Sequence, residues 1–275
     1  MTNDKSISDH YTHGDLVNSI QKALLSIEKT PESVTLADLA PVDEFHIGGR
    51  LATDHLLKQV DFSRTKSILD IGCGLGGASR YIANKYDIHV TGIDLTQDYI
   101  QTGNVLSNWL GLERKVELIH GSALSMPFDD EQFDGGYMLH VGMNIEDKAS
   151  LFTEIKRVLK PNSIFAIYDI MRQNDEDLVY PVPWASGPIT SYLSTPEEYI
   201  ESLERAGFKL KKQCNRSAFA LKFFKSLKEK NLQNRAPPSI GLHLLMQQST
   251  TLKIENMIDN IRRACIAPVE IVAHT

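Results

Sequence analysis

The chain has 275 residues, is 42% hydrophobic and 23% charged, and carries a formal net charge of −6. That length accommodates one large domain or a domain with a lid, and the apolar content suffices for a full core. The acidic balance argues against a nucleic-acid backbone as the main partner, and no apolar run approaches the ~20 residues needed to span a bilayer, so stable membrane insertion is not expected.

The first turn of pattern is a helix from Leu16, with Asp15 as its cap and Leu16, Ile20, Leu24 and Ile27 on one face; Pro31 is expected to end it. Thr35 to Leu39 reads as a short helical turn, Asp43 to Gly49 as loop and Arg50 to Val60 as helix. From Lys66 strands and helices alternate. Strands are predicted over Ser67–Ile71, Ile88–Asp94, Val116–His120, Phe133–Leu139 and Ser163–Asp169, with helices over Gly77–Lys85, Gln97–Leu110 and Glu146–Leu159 between them. Thr96 is the expected cap of the second of these, and Pro161 stops the third. This alternation implies a Rossmann-like, doubly wound parallel sheet.

Beyond Asp169 the regularity lapses. Met171 to Pro188 is loop-like. Thr195-Pro196-Glu197-Glu198 then opens a helix with a capping box and a proline in its first turn, and Gly207 closes it. Phe208–Gln213 and Ile266–Val272 are the remaining strands, for seven in all, and the segment between them is largely helical with a break at Pro237-Pro238. The expected organisation is an N-terminal helical cap over residues 1–60, a core over 61–217, a helical lid insertion over 218–264, and a last core strand over 265–275. Phe219, Phe223 and Phe224 follow helical spacing and read as core rather than as an aromatic cage for a cation.

The chemistry starts at Ile68-Leu69-Asp70-Ile71-Gly72-Cys73-Gly74-Leu75-Gly76-Gly77, where an apolar strand breaks into glycines and a helix follows. Glycines at such a turn let backbone approach a ligand without an intervening Cβ. The second strand ends on Asp94, about 20 residues past the loop, the spacing at which a carboxylate reaches ribose hydroxyls. Together they indicate a nucleoside-bearing cofactor. A nicotinamide-dependent oxidoreductase shares these features. However, Asp70 just before the loop would repel a pyrophosphate and would favour an ammonium or sulfonium. Cys73, Cys214 and Cys265 have no metal-type spacing, so no metal is expected. Such sparse cysteines suit a reducing, cytoplasmic setting, and the polar N-terminus lacks the apolar stretch of a signal peptide.

In these residues the chain resembles the class I S-adenosylmethionine-dependent methyltransferases. The resemblance runs from about Asp43 to Gly207 and includes the glycine loop, Thr91-Gly92-Ile93-Asp94, Met126-Pro127-Phe128 followed by Phe133-Asp134, and Arg157-Val158-Leu159-Lys160-Pro161. Phe45-His46-Ile47-Gly48-Gly49 and Gly76-Gly77-Ala78-Ser79-Arg80-Tyr81 bring it nearest to the branch with sarcosine/dimethylglycine and phosphoethanolamine N-methyltransferases. The resemblance implies an antiparallel last strand and S-adenosyl-L-methionine as cofactor. It places Gly72, Gly74 and Gly76 beside the cofactor's methionine and ribose, Asp70 near its amino group, Asp94 on the ribose, and Leu95, Ser122 and Ala123 around the adenine. Arg50 is preferred over Arg80 as partner of the cofactor carboxylate.

His140 is expected to face the methyl group as base or orienting group, and Asn144 to hydrogen-bond at the catalytic centre. In phosphoethanolamine methyltransferases the segment after strand four reads Asp-Ala-Ile-Leu-His. Here it is His140-Val141-Gly142-Met143-Asn144, which argues against a phosphobase acceptor. Tyr11, His46, Trp184 and His243 are candidate substrate contacts, with His13 as a further residue closing over the site. The expected reaction is methyl transfer to a small-molecule acceptor. An amine nitrogen of sarcosine or dimethylglycine type is preferred; a carbon or oxygen of a quinone or lipid-like ring is the alternative, and a cofactor-sensing module without catalysis is a further one. A homodimer is compatible with the chain.

Overall fold

Four helices lead into the sheet: α1 (Thr2–Tyr11), α2 (Leu16–Leu25), α3 (Leu36–Asp43) and α4 (Arg50–Leu57). The computed structural model describes residues 2–12, 14–233 and 238–275. The core then runs β1 (Ser67–Ile71), α5 (Gly77–Tyr86), β2 (His89–Asp94), α6 (Gln97–Trp109), β3 (Val116–His120), β4 (Phe133–Leu139), α7 (Lys148–Val158) and β5 (Leu159–Arg172). After these come α8 (Pro196–Arg205), β6 (Lys209–Asn215), α9 (Ser217–Gln233), α10 (His243–Met246), α11 (Thr250–Arg262) and β7 (Ile266–His274).

The seven strands form one sheet in the order β3-β2-β1-β4-β5-β7-β6. β1 to β5 are parallel, and β7 is antiparallel to both β5 and β6. The chain winds outward from β1 to β3, then returns to the other side of β1 for β4. The strand tips of β1 and β4 therefore diverge into different connections, which leaves a crevice at their carboxyl ends.

Side chains alternate between two cores. On β5, Phe165 and Ile167 pack with Leu151, Phe152 and Ile155 of α7 and with Tyr199 of α8. Ala166 and Tyr168 face the opposite way, toward Leu56 of α4 and Ile82 of α5. Edge strand β6 is the exception: Lys209, Lys211 and Lys212 leave it exposed on both faces.

The expected elements lie within a few residues of those observed, and the departures have local causes. α2 stops at Leu25, well before Pro31, because the chain turns at Glu28 with a φ of 58°. Asp15 stands at its N-cap position, but its carboxylate takes the Asn18 amide instead of a backbone N–H. Thr96 likewise caps α6 without a side-chain bond; its own N–H donates to Asp94 Oδ1. The turn after Thr35 is a longer helix, α3, held by a reciprocal Thr35–Asp38 capping box. The Thr195–Glu198 capping box is present. α1 has no counterpart in the sequence reading, and Pro237, half of the expected break, lies outside the described residues.

Candidate functional site

A cavity of about 1980 Å³ opens at the carboxyl ends of the parallel strands. Its floor is the set of tips that the topology brings together: Asp70 and Gly72 at the end of β1, Asp94 and Leu95 at the end of β2, Ser122 and Ala123 after β3, and His140 after β4. Tyr11, His46, Asn144, Trp184 and His243 also line it, so the structure gathers nearly every expected site residue around one space.

The glycine loop is pinned by its neighbours. Gly72 N donates to Ile93 O at 2.8 Å, and Gly74 N to Asp94 Oδ2 at 2.8 Å. Gly74 has a φ of +55°, and a Cβ built on it would meet no protein atom within 4 Å. It borders the open cavity, the place where a ligand comes against bare backbone. Gly76 does something else: a Cβ there would lie 2.7 Å from Leu118 Cδ1, and the residue does not line the cavity. Its role is close packing of loop against β3, a correction to the expected cofactor contact.

Asp94 accepts from Gly74 N and, through Oδ1, from Thr96 N, both at 2.8 Å. A carboxylate has about four acceptor positions, so two remain for a pair of vicinal hydroxyls. Burial raises its pKa against the pull of these backbone donors. Asp70 is buried more deeply. Its Oδ2 accepts from Ser79 Oγ at 2.5 Å and Tyr137 Oη at 2.8 Å, while burial pushes its pKa up to about 7. A desolvated carboxyl of this kind is relieved by a cation. Ser122 Oγ accepts from Leu124 N at 3.3 Å, which shapes the turn after β3.

Neither candidate arginine reaches the cavity. Arg50 stands 3.9 Å over the Tyr81 ring and is bonded to the buried Glu44 carboxylate. Arg80 is fully buried, donating to Asp43 Oδ2 at 2.7 Å, Gly103 O at 3.0 Å and Ser107 Oγ at 3.2 Å. The expected carboxylate contact through Arg50 is therefore corrected: Glu44 holds Arg50 against Tyr81 of α5, and Asp43 holds Arg80, so both guanidinium groups join the N-terminal helices to the core.

His140 has a φ of 56°, which turns the chain sharply off β4, and its N donates to Tyr168 O at 2.7 Å. Its Nε2 is buried with no hydrogen-bond partner. Burial, and then the neighbouring His46, depress its pKa well below the ordinary histidine value, so the ring is neutral at pH 7. His46 is neutral too, with a pKa lowered by burial to about 4. Its Nε2 lies 3.1 Å from Gly49 O and 3.0 Å from Thr53 Oγ1, while Thr53 Oγ1 donates to Glu44 Oε2 at 2.7 Å. That network puts the His46 proton on Nε2 and leaves Nδ1 as an acceptor.

Asn144 is fully engaged. Its Oδ1 accepts from Tyr11 Oη at 3.0 Å, and its Nδ2 donates to Trp184 O at 3.0 Å and Thr190 O at 3.2 Å. It ties α1 and the 180–190 loop to the segment after β4, a positioning arrangement where a direct catalytic contact was expected. Trp184 is buried and donates from Nε1 to Ser191 Oγ at 3.0 Å. His13 lies outside the described residues. Tyr99 went unread in the sequence: it lines the cavity, and its hydroxyl is buried without a partner. Its place on an amphipathic helix reads as core, and only the tertiary setting exposes the unpaired Oη.

The insertion helices supply the rest of the wall, with apolar side chains among exposed lysines. α9 supplies Leu221 and Phe224, α10 Leu245 and Met246, and α11 Ile254 and Ile258. Among the described residues no cluster of three or more potential ligands could hold a metal.

The comparisons with known proteins agree with this geometry. Residues 69–167 match the family described as "Methyltransferase domain". A probable chloroplastic tocopherol O-methyltransferase of Oryza sativa subsp. japonica is 39% identical over 113 residues, 41% of this chain and 31% of that protein. A putative sarcosine dimethylglycine methyltransferase from Galdieria sulphuraria superposes with a TM-score of 0.64 at 19% identity, over 81% of this chain and 84% of that one. Geranyl diphosphate C-methyltransferase from Streptomyces coelicolor A3(2) superposes with a TM-score of 0.68 at 15% identity, over 100% of this chain and 98% of that one; its structure contains Mg2+, geranyl-S-thiolodiphosphate and S-adenosyl-L-homocysteine. The matched segments span only 30–50% of the length of the first curated relatives.

Residues 69–167 thus match a methyltransferase domain, and the sheet has the fold of class I S-adenosylmethionine-dependent methyltransferases. The oxidoreductase reading finds no support among these matches. The residues fit the cofactor of that class: an open edge at Gly74, spare acceptor positions on Asp94, and a buried carboxyl at Asp70 that a cation would stabilise.

Proposed function

We infer that the protein methylates an apolar small molecule, a ring or prenyl-bearing acceptor, with S-adenosyl-L-methionine as donor. The observation that carries this reading is the wall built by α9, α10 and α11, which faces the acidic strand tips across the cavity with leucine, isoleucine, methionine and phenylalanine side chains. Ligand pockets of 300–1,000 Å³ suffice for drug-sized molecules, and this one, about 1980 Å³, leaves room for a bulky acceptor beside a cofactor. The tocopherol and geranyl diphosphate methyltransferases it resembles are named for prenyl-bearing acceptors, which supports the same choice. A sarcosine-type amine carries a carboxylate that asks for a buried cation. The basic residues lining this cavity, Lys222, Lys225, Lys228, Lys230 and Arg262, are all exposed; Arg80 is engaged elsewhere, and Arg50, bonded through Nε to Glu44, does not line the cavity.

When bound, the cofactor supplies a methyl group already activated on a positively charged sulfur. Asp94 would hold its ribose, Asp70 its amino group, and Leu95, Ser122 and Ala123 its adenine. The chain's remaining work is alignment and exclusion of water. The Tyr11–Asn144 bond draws α1 over the cavity, and the insertion helices, acting as a lid, keep the acceptor dry. His140 is neutral at pH 7 and holds an unpaired nitrogen at the cavity edge, so it can take a proton from a phenolic or enolic acceptor.

The test has two stages. Calorimetry should show S-adenosylhomocysteine binding and no NADH binding. A panel of prenylated phenols and quinols against sarcosine and dimethylglycine should then release S-adenosylhomocysteine only with the apolar members. Turnover of the amines alone would replace this reading with the amine one.

A further inference from the structure

The cavity mouth carries a charge pattern that the acceptor chemistry leaves unexplained. α9 contains Lys222, Lys225, Lys228 and Lys230 against one acid, Glu229. All four lysines are exposed, and all four line the cavity. Elsewhere Lys85 and Lys160 are paired with Asp54 and Asp134, whereas among the described residues these four make no ion pair or hydrogen bond. A chain with a net charge of −6 thus concentrates unpaired positive charge at the entrance to its apolar cavity. Leu227 stands among the lysines, 39% exposed and also lining the cavity.

We propose that this face of α9 docks the protein on an anionic lipid bilayer, so that an apolar acceptor passes from the membrane into the cavity through its basic mouth. The proposal rests on the apolar-acceptor reading for its purpose. Its physical basis is charge complementarity: lysines near an anionic surface are attracted within a Debye length, and their long apolar stems lie along the interface while the ammonium groups stay in water. The acidic remainder of the surface would be repelled, which orients the molecule with α9 down. The contact is peripheral, since among the described residues no helix is long and apolar enough to cross a membrane.

Co-sedimentation of the full chain with vesicles tests this. Wild-type protein should pellet with phosphatidylcholine vesicles containing phosphatidylglycerol, stay in solution with pure phosphatidylcholine, and be released by raised salt. The variant K222E/K225E/K228E should lose at least a hundredfold in partitioning, because removing three lysine charges at about fivefold each already gives roughly that factor and the glutamates add repulsion. The corresponding triple glutamine variant serves if charge reversal disturbs folding, with melting curves as the check. Absent binding to anionic vesicles, equal binding to neutral ones, or undiminished binding of a folded variant overturns the proposal. A wild-type protein that ignores anionic vesicles but sediments as a larger species than the variant would instead make α9 an interface between copies of the chain. S-adenosylhomocysteine calorimetry on the wild type keeps the two readings apart: cofactor binding without vesicle binding removes only the docking, and the converse removes the methyl-transfer reading.

Discussion

Asp70→Asn separates what the fold wants from what the cofactor wants. The Asp70 carboxyl is 2% exposed and titrates near 7, where an ordinary aspartate titrates near 4. The folded state therefore binds this proton more tightly than the unfolded one. Its contribution to stability is complete below pH 4 and is lost as pH rises to about 7. A shift of this size corresponds to about 4 kcal/mol at pH 8. Both hydrogen bonds from Ser79 and Tyr137 end on Oδ2, so an asparagine carbonyl oxygen can accept both without a charge. The Asp70→Asn variant should melt on the order of 10 °C higher than wild type at pH 8, and the difference should vanish toward pH 4. Cofactor affinity should move the other way. If only the carboxylate binds the ammonium, wild-type affinity for S-adenosylhomocysteine falls about tenfold from pH 8 to pH 6, with about half a proton released on binding at pH 7. The variant should bind roughly 10- to 100-fold more weakly at pH 8 and with a flat profile. Calorimetry in buffers of different ionisation enthalpy reads both quantities. A wild-type affinity that does not change between pH 6 and 8, or a variant less stable than wild type at pH 8, would refute the reasoning.

The other site residues give simpler expectations. Asp94→Ala removes the proposed ribose acceptor, and cofactor affinity should fall by roughly 1.5–3 kcal/mol in calorimetry; unchanged affinity would take the ribose off this residue. Gly74→Val adds a Cβ that meets no protein atom within 4 Å but places a branched side chain at φ +55° against the ligand space, so far-UV dichroism should stay native while binding is lost, with a stability cost of about 1–2 kcal/mol. His140→Ala should lower kcat by roughly 10²–10⁴ with little change in cofactor affinity, and the wild-type kcat should be flat from pH 6.5 to 8 because the ring is already neutral; a kcat that falls through a histidine-like pKa in that range would contradict its buried setting. Tyr11→Phe deletes the 3.0 Å bond to Asn144. Limited proteolysis within α1 should quicken, consistent with a loss of about 1 kcal/mol.

The sequence pattern disclosed the parts of the site that lie on strand tips. Asp70, Gly74 and Asp94 each end or follow an apolar run, so strand periodicity alone carries them to one edge of a parallel sheet. Arg50 and Arg80 show where that reasoning stops. A basic residue near a carboxylate-bearing cofactor reads as its partner, but Glu44 and Asp43 arrive in space by packing of the N-terminal segment and claim both guanidinium groups. Asn144 is similar. Its bond to Tyr11 crosses 133 positions of chain, and no local pattern records it. α1 leaves no mark on the sequence pattern because its residues are mostly polar and show little one-sidedness. Tyr99 and His140 matter through atoms that lack partners, a property that exists only once burial is known.

The place of β7 has a consequence for how the molecule is made. This strand is synthesised after β6 and the helices of the insertion, yet it sits between β5 and β6 and pairs with both. Until it emerges from the ribosome, the long edge of β5 and the whole of β6 have no neighbour to complete their backbone hydrogen bonds. Pairings closed so late across so much sequence are slow and leave edges open to association. The exposed lysines of β6 stand where charge would discourage such association while that strand waits for its partner.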